Sequence, residues 1–129
     1  MAIARDTTAA NIKPLEGAVV RRFTAGATIA AGEIVSMQSD GYVDPANTTS
    51  AAQQVVGIAL KAASSGDRVD VVVLGPVKAI TGGTPGATLH ASDTAGEPAE
   101  SAGTNAGVAG FVESATVAFV RPLATHAHA

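Results

Sequence analysis

"AAGEIVSMQSDGYVDP", residues 30–45, decides the fold. It holds a short apolar run around Ile34 and Val35, a second around Tyr42 and Val43, and Asp40-Gly41 between them. Glycine takes positive φ without a Cβ clash, so Asp-Gly between two apolar runs signals a hairpin rather than a helix interior. The same punctuation recurs in "TAGAT", "DPAN", "SSGD" and "GGTPG", each separating brief apolar runs. An alanine-rich chain that spends 14 of its 129 residues on glycine in this way builds strands, not helices.

Working outward, strands are expected in "GAVVRRF" (17–23), "VVGIALKA" (55–62), "RVDVVVLGPV" (68–77), "KAIT" (78–81), "ATLHA" (87–91), "GVAGFVE" (107–113) and "TVAFVRPL" (116–123). Alternation puts Val19, Arg21 and Phe23 on one face of the first, with Val20 and Arg22 on the other. In 68–77, Val69, Val71 and Val73 share a face, opposite Arg68, Asp70, Val72 and Leu74. Gly57 inside its apolar run marks a bulge or a close backbone approach. Only 46–54 and 92–102 leave room for a short helix, and Gly96 and Pro98 weaken the second.

The pattern repeats. Laying Gly86 on Gly32 puts "PGATLHA" under "AGEIVSM"; a one-residue deletion then puts "VAGFVES" under "VVGIALK", and "TVAFVRPL" falls under "VDVVVLGPV". The expected fold is therefore all-β: a small β-barrel or β-sandwich of two similar β-halves, with an extended N-terminal arm. The arm is 1–16, where Pro14 interrupts any helix and only Ile3, Ile12 and Leu15 are spaced apolar anchors. The β-rich domain is 17–123, and 124–129 forms a flexible C-terminal tail.

Composition narrows the function. Apolar residues make up 47% of the chain and aromatic ones only 3%, so valine, isoleucine and leucine must form a thin core. A small domain with a thin core gains stability from partners that cover more of its surface. A net charge of -3 offers no cationic field for nucleic acid or an anionic membrane, and no apolar run is long enough to span a bilayer. The absence of cysteine fits folding in a reducing cytoplasm. The N-terminus lacks the apolar core of a signal peptide, so the expectation is a soluble protein made in the cytoplasm.

Chemistry-bearing patterns are sparse. "GGTPGATL" lacks the lysine of a phosphate loop, and no GxSxG nucleophile elbow occurs. His126 and His128 have no nearby acidic residue or cysteine to complete a metal site. His90 would act as a general base only with an orienting carboxylate and a pocket. No catalytic, cofactor or metal residue is therefore assigned, and no small-molecule substrate is expected.

The order "AGEIV", "DGYV", "VVGIAL", "SGDRVDVVVLGPV" and a second cycle ending in "VAFVRPL" resembles the small capsid decoration (cement) proteins of tailed bacteriophages, over about residues 17–123. The resemblance implies a β-rich, non-enzymatic virion protein. It implies a homotrimer bound to the major capsid (coat) protein on the outer capsid surface, made in the host cytoplasm. Partner contacts are expected from the arm and the one basic cluster: Ile3, Ile12, Lys13, Leu15, Arg21 and Arg22. Adjacent arginines on a strand point to opposite faces, which leaves one of Arg21 and Arg22 free for a carboxylate of a neighbour. Other readings are a carbohydrate or cell-surface binding module, opposed by the scarcity of aromatics (Phe23, Tyr42, Phe111, Phe119), a small enzyme built on His90, and a tail-tube or head-fibre subunit.

Overall fold

The computed structural model describes residues 2–123. The described residues form twelve strands: β1 (Ala4–Arg5), β2 (Lys13–Pro14), β3 (Val19–Thr24), β4 (Ile34–Met37), β5 (Val43–Pro45), β6 (Val55–Ala59), β7 (Arg68–Lys78), β8 (Ile80–Thr81), β9 (Thr88–Ala91), β10 (Pro98–Ala99), β11 (Val108–Val112) and β12 (Val117–Val120). No α-helix forms among the described residues; the one helical turn is a 3-10 turn at Ala9–Asn11. The protein is all-β: eight antiparallel strands run in the order β10-β9-β11-β12-β7-β6-β4-β5 as a curled half-barrel, β2 and β3 add to β7, and β1 and β8 make a small second sheet. The short helices allowed at 46–54 and 92–102 are absent. Those segments are loops, with β10 inside the second.

The two halves are visible in the register. In the first half Ile34 faces Ile58 and Val35 faces Gly57, and the pairing then slips by one residue. In the second, Thr88 faces Phe111 and Leu89 faces Gly110, with the same slip. The loops follow suit: Gly32 N–H donates to Ala59 O at 2.8 Å, and Gly86 N–H to Val112 O at 2.8 Å. Both bulged glycines answer one steric demand. A Cβ on Gly57 would overlap the Val72 carbonyl oxygen, and one on Gly110 the Phe119 carbonyl oxygen, so each strand lies too close to its neighbour for any side chain.

β7 belongs to both halves. Its first part, Arg68 to Leu74, pairs with β3, giving the first half the order β3-β7-β6-β4-β5. Its second part, Gly75 to Lys78, pairs with β12, giving the second half the order β7-β12-β11-β9-β10. The last strand of one unit is thus the first strand of the next.

Two cores result. A parallel bridge between Ala25 and Val43 draws the ends of the first half together around Ala25, Ile29, Val35, Val43, Ala59, Ala63, Val69 and Val71. The other side of that half, Ile34, Val55, Ile58 and Val72, packs with Leu89, Val112, Ala118 and Val120 from the second half in one larger cluster. Each fully buried aliphatic side chain contributes about 1.5–3 kcal/mol, so aliphatic layers replace the missing aromatics.

The arm is not detached. β1 pairs with β8, β2 pairs with the end of β7, and Asp6 N–H donates to Ala79 O at 2.9 Å. Ile12 is only 7% exposed and belongs to the larger core, and Ile3 packs against it. The expected arm is thus part of the body: two short strands flank the 3-10 turn at Ala9–Asn11, and Ile12 and Ile3 pack into the larger core instead of standing free for a partner.

Three loops are joined by one carboxylate. Asp93 Oδ1 accepts from the buried Thr48 hydroxyl at 2.7 Å and from Thr104 N–H at 3.0 Å, while Oδ2 accepts from the Thr104 hydroxyl at 2.6 Å. These bonds favour the ionised form and hold the Asp93 carboxyl below its ordinary value.

Candidate partner-binding surface

β3 differs from its neighbours in being exposed on both faces. Val19 and Val20 are 47% and 41% exposed, and Leu74, opposite Val19 on β7, is 47% exposed. Val19 and Val20 on this edge strand, with Leu74 of β7, leave a small apolar cluster in solvent, a feature a partner would cover. The edge is also basic, because Arg21 and Arg22 on β3 and Arg68 on β7 reach solvent along it, while Lys13 is exposed farther off, opposite Lys78 at the end of β7.

Each arginine is held differently. Arg22 Nε donates to Asp70 Oδ1 at 3.0 Å across the β3–β7 pair, and this hydrogen bond, with the carboxylate's charge, raises the guanidinium pKa. Arg21, on the opposite face, lays its guanidinium 5.7 Å from the centre of the Phe23 ring. Arg68 donates to the Thr24 hydroxyl at 3.1 Å and to Arg22 O at 3.5 Å. Of the adjacent pair, Arg21 keeps its charge uncompensated by any ion pair among the described residues, whereas Arg22 finds its carboxylate within the chain.

The six expected partner residues therefore separate. Arg21 and Arg22 lie exposed together on β3, and Lys13 lies exposed on β2, opposite Lys78 and apart from them. Ile12 is withdrawn as a contact residue because it is buried in the core. Ile3 and Leu15 are half-buried, and Leu15 N–H is tied to Pro76 O at 3.0 Å. Arg68 was missed. Its place beside β3 depends on a pairing between strands 44 residues apart, which no local pattern reveals.

A second surface lies on the outer face of the second half. Thr88, Val108, Gly110, Phe111, Arg121 and Leu123 line a shallow groove of about 240 Å³. The Phe111 and Phe119 rings stack beside it, 4.9 Å between centroids and 14° apart.

His90 is half-buried; burial lowers its pKa and favours the neutral ring, and its Nδ1 has no hydrogen-bond partner among the described residues. No group of three His, Cys, Asp or Glu residues that could hold a metal occurs among the described residues. His126 and His128 lie outside them. No helix of the described chain is long and apolar enough to cross a membrane. No protein-family model matches the chain, and the search of curated proteins gives no match.

Proposed function

We propose that this chain is a decoration protein of a tailed-bacteriophage head, binding the outer surface of the assembled coat lattice and holding it closed by non-covalent contacts between coat subunits. The observation that supports it most is the edge strand β3, which with Leu74 of β7 holds Val19 and Val20 in solvent beside Arg21 and Arg22 on an all-β body. An edge of this kind fits between larger subunits: Val19, Val20 and Leu74 supply apolar area, and Arg21 supplies charge for an acidic patch. Binding the closed lattice in preference to separated subunits stabilises the lattice by linkage, and repetition across the shell multiplies a modest single-site affinity.

The test is to mix purified protein with undecorated, expanded heads and image them. Density on the outer shell at symmetry-related positions, reduced by the double substitution R21E/R22E at low salt, is the expected result. Density confined to the tail, or none, overturns the reading.

A further inference from the structure

The register of the two halves identifies a surface whose counterpart is already an interface. Ile34, Ile58 and Val72 of the first half correspond in strand order and register to Thr88, Phe111 and Phe119 of the second. The first set is at most 1% exposed, sealed beneath the second half of the chain. The second set faces outward, with Phe111 37% exposed and Leu123 beside it 49% exposed. One sheet face thus occurs twice in the molecule, once covered by a β-layer of this same chain and once open.

The open copy carries charge in a particular order. Across β11 and β12, Phe111 stands opposite Phe119. Beyond Phe119, Arg121 reaches the groove, its N–H tied to Ala109 O at 2.8 Å. At the other end Glu113, exposed and directly after β11, has its N–H tied to Val117 O at 2.9 Å, which carries the β11–β12 pairing one residue further and places it at the end of the Phe111 side. The sequence along the ribbon is cation, stacked phenylalanine pair, anion. Neither Arg121 nor Glu113 has an ion pair or side-chain hydrogen bond among the described residues.

We propose that this face binds a second copy of the chain about a two-fold axis through the Phe111–Phe119 pair, with Arg121 of each copy meeting Glu113 of the other. A patch with opposite charges at its two ends is complementary to itself under a half-turn, which is the requirement of an isologous interface. The rings form the desolvated centre and the ion pairs fix the orientation. Thr88 and Glu113, in place of the first half's Ile34 and Leu60, keep the open face soluble in the single chain. The contact does not depend on the viral-shell reading and is measurable without coat protein.

Sedimentation equilibrium of the full chain in low salt tests it. The wild-type protein is expected at twice the 12.6 kDa chain mass. R121E or E113R alone, each placing like charges in contact twice per dimer, weakens association by about tenfold or more. R121E/E113R, which restores both pairs with reversed polarity, brings association back to within about threefold of wild type. Thr88→Trp, which fills the groove without changing its charge, gives monomer independently of the ion pairs. Circular dichroism checks that each variant is folded, and all three changed positions lie at exposed sites. A monomeric wild type overturns the proposal. So does a trimer or dimer insensitive to the single reversals, or a double reversal that fails to restore association.

Discussion

At the scale of single residues, the steepest dependence falls on Gly57 and Gly110. Replacing Gly57 with alanine pushes a methyl into the Val72 carbonyl, a contact between backbones that no rotamer relieves. G57A should cost about 2–3 kcal/mol, read as a fall in the urea midpoint. Gly41 has φ +86° with open space around it, so G41A carries only the left-handed penalty of about 1 kcal/mol. Two carboxylates respond to pH with opposite sign. Asp93 has a lowered pKa, so its contribution to stability is complete above its ordinary value near 3.8 and is lost as pH falls through the lower folded value. D93N should lower Tm at neutral pH and flatten the acid limb of a Tm–pH curve. Asp44 is raised by burial first and by the charge of Asp40 second, and its buried Oδ1 has no hydrogen-bond partner among the described residues. Its penalty is absent below the ordinary value and appears as pH rises through the raised one, so D44N should raise Tm at neutral pH. The glycine in 55–62 was legible as a bulge because a side-chain-free residue within an apolar run has few other uses. The Arg22–Asp70 pair was not, because it joins residues 48 apart through a strand pairing that alternation alone does not specify.

Among elements, the N-terminal segment is where sequence and structure part most. Its three apolar residues are too few for a core of their own, which is why it reads as a detached arm. The body supplies the rest: Ile12 enters a cluster made by residues from 31 to 120. I12A should cost about 2–4 kcal/mol, as for other buried aliphatic truncations, and deleting residues 1–16 should lower Tm sharply rather than merely weaken attachment. β3 predicts the reverse. Its first four residues are exposed, so R21E/R22E should leave the thermal transition within a few degrees of wild type while abolishing any shell binding that depends on this edge. Unfolding of this double variant would show that the Arg22–Asp70 bond holds β3 in place. Strand positions were largely readable because turn formers bound each apolar run. Which strands become neighbours is decided by pairing across the whole chain, and that is where β2, β3 and the arm escaped the local pattern.

For the whole molecule, the repeat was legible because glycines at matching offsets constrain the backbone regardless of the side chains between them. What it did not disclose is how the halves join. The larger core draws Ile34, Ile58 and Val72 from one half and Leu89, Val112 and Val120 from the other, so neither half is complete alone. Fragments 1–74 and 75–129 should each lack a cooperative thermal transition when separate and should regain one when mixed; a cooperative transition in either alone would contradict a shared core. The eleven-residue span of β7 has a mechanical consequence. With one uninterrupted strand serving both units, no linker lies between them to act as a hinge. Tension applied across the two units therefore loads the backbone of β7 as well as the hydrogen bonds along its edges.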